Sequence, residues 1–306
     1  MTKKDLRAKY GPSAFDAGQQ LQPKTFAHRL ALRDSLDQHY TKLWMDFVIT
    51  GMMQRPALDT RTRLLVLTGQ FTMSKSYPML EDNVSAALAA GVKAREVLEV
   101  ILQCTVYGGH TAVDPALEIF HRIAEEHGLL DELRASQLPL DGSDSMRSYD
   151  DEAKTWLEED KADPRFAALK EKHGWLGIGR GLTMRPKHHL NTLSWQDALD
   201  SSWAKLWVGF TYQGMYGRGI VDDKTRLLCM VGNCVAVGEG HEGRAHMKGA
   251  MRKGASPREI LEVILQSCTN FGMPPMLKAL KIFVKLMEEE GRSAEIGSPP
   301  KRIEDK

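Results

Sequence analysis

The chain has 306 residues, 42% hydrophobic and 26% charged, with a formal net charge of +1. That length holds two domains of ordinary size, and scattered Lys and Arg with almost no net charge exclude a phosphate-neutralising nucleic-acid groove. No window of eighteen apolar residues exists, so no membrane span is expected. The opening MTKKDLRAKYGP carries charge with no apolar run behind it and does not read as a signal peptide. Cys104, Cys229, Cys234 and Cys268 form no CxxC pair. Reduced thiols in a cytoplasmic protein are the expectation.

In chain order, residues 30 to 53 carry apolar positions at helical spacing (Leu36, Tyr40, Leu43, Trp44, Phe47), predicting one helix before the break at Arg55-Pro56. Asp59 suits an N-cap. Residues 62 to 73 are apolar nearly all round, predicting a central buried helix. A further helix over about 78 to 90 stops at Gly91. The next begins at Lys93-Ala94 without a strong cap, and a last one spans 112 to 127. Residues 138 to 166 are acidic and read as a connector, with one short helix around Trp156. Then the order repeats. Asp222 or Asp223 replaces Asp59, Gly254 replaces Gly91, and Ser256-Pro257-Arg258-Glu259 forms a capping box. A helix over 275 to 290 and a polar tail follow. No stretch shows sustained β alternation, so the expected fold class is all-α.

The repeat keeps one register throughout, in which Leu98 falls on Leu261 and no gap is needed. Between Asp34 and Phe120, 31 of 87 positions are identical to their equivalents in that register, and Leu98–Gln103 recurs unchanged as Leu261–Gln266. A tandem duplication follows from this: a first copy over 1–137, a connector over 138–166, a second copy over 167–291 and a tail over 292–306.

The copies diverge where chemistry would sit. Glu239, His241, Glu242, Arg244 and His246 stand against Ser76, Pro78, Met79, Glu81 and Asn83. On one helix Glu239, Glu242 and His246 share a face at i, i+3, i+7, which puts carboxylates beside an imidazole as an acid–base site needs. His241 and His246 are five apart, about 140° around a helix, so no metal site is expected from them. Cys229 and Cys234 are separated in the same way. Arg63 and Arg226 could clamp a substrate carboxylate, or pair with Glu96 or Glu99 and Glu259 or Glu262. Glu99, Gln103, Glu262 and Gln266 lie in apolar runs of both copies and read as scaffold.

Thr-Arg-Leu-Leu, a helix ending in Gly, then Arg-Glu-(Val/Ile)-Leu-Glu-Val-Ile-Leu-Gln resembles the carboxymuconolactone decarboxylase family, which shares the alkylhydroperoxidase-D-like fold. Arg55-Pro56-Ala57-Leu58-Asp59-Thr60-Arg61-Thr62-Arg63 looks like that family's entry segment. The resemblance implies helical subunits assembling as trimers or hexamers, and a two-copy chain would then form a trimer. It implies cofactor-free lyase chemistry on a small carboxylated lactone or cyclic acid, while spacing and composition leave no metal and no nucleic-acid or membrane partner expected. His246 aligns with the family's histidine. The expected catalytic set is His246, Glu242 and Glu239. The expected substrate contacts are Arg226, His241, His110, Tyr107 and Trp207, in a pocket with Met215 and Met247. Two features depart from the family. Glu239 and Glu242 stand where thiol-dependent relatives carry their CxxC, and Leu64 and Leu227 replace a Glu that many relatives carry. The alternatives are a thiol-dependent peroxidase or reductase, and a non-catalytic binding or assembly protein.

Overall fold

Frequent caps and breakers cut the chain into short helices. A computed structural model describes residues 2–139 and 149–297, and among the described residues there is no strand. The chain forms two compact units, Met1–Gln137 with Leu265–Gly272, and Leu138–Ile264 with Met273–Lys306.

The first unit opens with α1 (Lys3–Tyr10), α2 (Pro12–Leu21) and α3 (Phe26–Leu36). The single helix expected over 30 to 53 is broken. Asp37 is extended and accepts from the Tyr40 N–H at 2.8 Å, restarting the chain as α4 (Gln38–Trp44). Asp is a strong N-cap, and its side chain competes with continued helix. The helix then widens into π turns over Met45–Met52. Asp59 caps α5 (Thr60–Met73), where every residue from Thr62 to Met73 is buried. There follow α6 (Tyr77–Ala89), α7 (Ala94–Gln103), α8 (Thr105–Gly108), α9 (His110–Glu126) and α10 (Leu130–Ala135). Lys93 gives α7 no side-chain cap.

The acidic connector is not a free linker. Its described part forms α11 (Tyr149–Ala153) and α12 (Glu158–Lys161), with Trp156 in the turn between them. Trp156 is buried against the rings of Tyr149 and Phe166. Residues 140–148 and 298–306 lie outside the described residues, so most of the expected polar tail does too.

The second unit continues with α13 (Phe166–His173), α14 (Trp175–Met184), α15 (His189–Leu199) and α16 (Ser201–Val208), then π turns over Gly209–Gly214. After them come α17 (Asp223–Ala236), α18 (Gly240–Arg252), α19 (Pro257–Phe271), whose residues from Leu265 onward count with the first unit, and α20 (Met273–Glu289). In order, α13 to α20 begin at the repeat equivalents of the first residues of α1 to α7 and α9. Asp222, not Asp223, caps α17. The capping box at α19 is formed. Ser256 N–H donates to Glu259 at 2.8 Å, and Glu259 N–H donates back to Ser256 Oγ at 3.2 Å.

Candidate functional site

At the end of α14 the chain turns through Arg185, Pro186 and Lys187 into α15. Lys187 adopts φ +66°, a left-handed conformation that non-glycine residues rarely take. Its N–H donates to both carboxylate oxygens of Asp160 at 3.2 Å, so α12 of the connector holds this turn. Two glycines allow the close packing that follows. A Cβ on Gly181 would overlap the His189 ring, and one on Gly249 would lie 2.8 Å from the Met184 carbonyl oxygen.

The turn delivers Arg185 and His188 to the first turns of α18, and His189 to Gly181 and Tyr212. Arg185 is buried and donates from Nη2 to Glu242 at 2.6 Å. It also hydrogen-bonds the buried Tyr212 phenol. His246 has no accessible surface. Its imidazole hydrogen-bonds the Met184 backbone, and burial, reinforced by the Arg185 charge, lowers its pKa to about 3. Burial likewise brings His189 to about 3, with its ring 4.5 Å from that of Tyr212. The half-buried His188 is lowered to about 4, first by burial and then by the neighbouring His241 and Arg185. The His188 and His241 rings meet edge-on at 5.4 Å. All three depressed imidazoles are neutral at pH 7, so they accept protons poorly and donate them only as N–H hydrogen bonds.

The expected shared face forms only in part. Glu242 and His246 lie one turn apart on α18, joined electrostatically through Arg185. Glu239 does not join them. It is the N-cap of α18, accepting from the backbone N–H groups of His241 and Glu242 at 2.7 and 3.4 Å. The helix starts one residue too late for the i, i+7 relation to hold. The Met184 backbone, rather than a Glu, orients the His246 ring. His241 is exposed while His246 is buried, as the 140° separation requires.

The expected substrate contacts lie on several different elements. Arg226 is fully buried within α17. Trp207 stacks on Trp203 at 5.8 Å on α16. Tyr107 is half-buried on α8, and His110 is an exposed residue of α9 facing Asp114 at 3.5 Å. Met215 and Met247 are core residues. In the first unit Arg61, not Arg63, pairs with Glu96, while Arg63 donates to Gln266 at 2.8 Å and to the Arg55 carbonyl at 2.7 Å. Among the described residues, no three His, Cys, Asp or Glu side chains converge as a metal cage would require.

The first unit shows the same place without the charges. Gln22, Ile49, Phe71, Met79 and Asn83 are the repeat equivalents of Arg185, Tyr212, Cys234, Glu242 and His246. They line a cavity of about 30 Å³ with mostly apolar walls. Asn83 spends its amide on Leu64 O and Thr68 Oγ1 at 3.0 and 2.8 Å. Arg185, His188, His189 and Tyr212 were not singled out by sequence reasoning. Their signal was present, since Arg185, His188 and His189 face Gln22, Thr25 and Phe26 in the repeat, a divergence like that at His246.

Residues 202–285 match the carboxymuconolactone decarboxylase family. The matched stretch runs from α16 into α20 and contains Glu239, Glu242 and His246. A curated relative is an uncharacterized 15.0 kDa protein from the nqo9-nqo10 intergenic region of Paracoccus denitrificans. It is 40% identical over 74 residues, which is 24% of this chain and 55% of that protein. The chain thus spans about half the length of this relative. The all-helical architecture agrees with the fold that the match implies.

Proposed function

We propose that the protein is a cofactor-independent lyase acting on a small carboxylated lactone or cyclic acid, with its site in the second unit. The observation that carries this reading is Arg185, which donates to Glu242 at 2.6 Å and lies close enough to His246 and His188 for its charge to help depress both imidazoles. A guanidinium is suited to bidentate capture of a carboxylate. A substrate carboxylate taking the place of Glu242 on Arg185 would free that Glu as a proton-transfer group. The added negative charge would also raise the pKa of the adjacent imidazoles. Loss of carbon dioxide breaks one carbon–carbon bond and leaves its electron pair in the conjugated ring. A proton from the recharged imidazole, His246 or His188, then quenches the carbon, and the net reaction consumes one proton.

The family match over 202–285 supports this reading, since it contains Glu242 and His246. The thiol alternative draws less support. Cys104, Cys229 and Cys234 are buried, and burial together with the charges of Glu242 and Glu239 pushes the Cys234 thiol far up, away from the reactive thiolate. We read the chain as a tandem duplication in which the first unit has lost the charged site, and as a homo-oligomer, a trimer by analogy with the family.

The test is carbon dioxide release from a panel of carboxylated lactones. His246→Asn and Glu242→Gln, which install a neutral group as in the first unit, are expected to lower turnover at least 100-fold, the usual scale of general acid–base catalysis. Full turnover in His246→Asn overturns the assignment.

A further inference from the structure

The turn that carries Arg185 and His188 is tied down differently from its counterpart in the first unit. There the turn is held by the unit's own α6. The N–H groups of Lys24 and Thr25 donate to Asp82 at 2.9 and 3.1 Å, the Thr25 hydroxyl donates to the same carboxylate, and Lys24 Nζ meets Glu81 at 3.1 Å. At the equivalent positions of α18 both anchors are gone, with Ala245 in place of Asp82 and Arg244 in place of Glu81. The acidic connector supplies two carboxylates instead. Asp160 accepts from the Lys187 N–H, and Glu159 pairs with Lys187 Nζ at 2.5 Å.

The exchange changes the turn itself. Lys187 takes its left-handed φ of +66°, which Lys24 does not. A non-glycine residue stays in that region only where its surroundings over-determine it. The exposed Glu159–Lys187 pair adds little to that hold. Asp160 is buried, and its hydrogen bonds among the described residues come from the Lys187 N–H. A buried carboxylate is costly unless it is hydrogen-bonded, so this one is committed to the turn. The connector is fastened a few residues earlier by the buried Glu152, which accepts from Arg180 Nη1 and Thr183 Oγ1 at 2.9 Å each on α14. With α18 relieved of holding the turn's backbone, His188, which replaces Thr25, sets its ring on His241, and Arg185 reaches Glu242.

We propose that the connector is a strap for the candidate site, in which Asp160 is a positioning residue that holds Lys187 in the conformation keeping Arg185 and His188 against α18. Releasing α12 from the turn disengages the site without altering any residue proposed to meet substrate. The inference rests on the lyase reading for its effect on turnover, but not for its effect on the His188 ring.

Ring-proton NMR of the full chain between about pH 7.5 and 5.5, the range in which an ordinary histidine titrates, tests this, with His188 assigned by its loss in His188→Gln. The parent ring is expected to stay neutral throughout, since it is held near pKa 4. In Asp160→Ala it is expected to titrate toward the ordinary value of about 6.5 as it leaves its place beside His241 and Arg185. Asp160→Asn keeps an acceptor for the N–H and is expected to match the parent. Lys187→Gly in the Asp160→Ala background is expected to restore the parent's behaviour, because glycine takes a left-handed φ without strain. Where the parent releases carbon dioxide, Asp160→Ala is expected to lower kcat/KM on the order of 10–100-fold, the scale of a displaced catalytic group. A parent-like His188 titration in Asp160→Ala overturns the strap, and so does a titrating ring that Lys187→Gly fails to restore. A parent that releases no carbon dioxide overturns the lyase reading alone and leaves the His188 result to decide the strap.

Discussion

His189 and His246 are both wholly buried within reach of the Arg185 charge, and both are held near pKa 3. An unfolded histidine titrates near 6.5. Between about pH 6.5 and 3 the unfolded chain therefore binds protons that the folded chain refuses. By linkage, their contribution is fully present above about pH 6.5 and is lost as the pH falls toward 3. The thermal midpoint is expected to drop steeply from pH 6.5 to 4. His189→Phe, the residue found at Phe26 in the first unit, is expected to flatten that slope. An unchanged slope in His189→Phe would mean that the ring is not buried as a neutral imidazole. The same residues show why the site was only half legible. His246 and Glu242 stood out because the repeat replaces them with Asn83 and Met79. Arg185 lies far before Glu242 in the chain, and only folding brings the two within 2.6 Å.

At the scale of single helices, the two units offer a matched comparison of caps. α19 begins with the reciprocal Ser256–Glu259 box, and α7 begins at Lys93 with no side-chain cap. Losing a Ser N-cap costs about 1 kcal/mol, and gaining one returns a similar amount. Ser256→Ala is expected to destabilise by about 1 kcal/mol and Lys93→Ser to stabilise by about 0.5–1 kcal/mol in urea unfolding. A Lys93→Ser variant no more stable than the parent would show that Glu96, already paired with Arg61 at 2.6 Å, is unavailable to complete the box. Helix boundaries were legible wherever a side chain closed a bond within four residues. The break at Asp37 is not legible in the sequence because the apolar spacing of Leu36, Tyr40, Leu43 and Phe47 continues across it. Asp37 re-caps the chain without disturbing that stripe.

At the scale of the molecule, the same stripe appears twice. Leu36, Tyr40, Leu43 and Phe47 are exposed in the first unit, and their repeat equivalents Leu199, Trp203, Leu206 and Phe210 are exposed in the second. Large contiguous apolar surface on a folded chain marks an interaction face. The proposed homo-oligomer would bury both stripes. Light scattering after size exclusion is expected to give three chains per particle for the parent and a smaller particle for Leu43→Glu combined with Leu206→Glu. A parent that runs as a single chain would remove the assembly reading. Among the described residues no helix is long and apolar enough to cross a membrane, so a bilayer-spanning helix is not the explanation for these stripes.

The amino-acid sequence by itself determined the helical class, the gapless register that relates the two similar stretches, the caps at Asp59, Asp222 and Ser256, the glycine stops, and the place where the two stretches diverge. All of these are local or comparative properties, set by hydrogen bonds within a turn or by residue type at a register position. Only the tertiary structure decided which charges meet. It brought Arg185 to Glu242 and drew Glu152 of the acidic connector onto Arg180. Those outcomes depend on contacts between residues far apart in the chain, where burial and charge complementarity, not sequence spacing, select the partner.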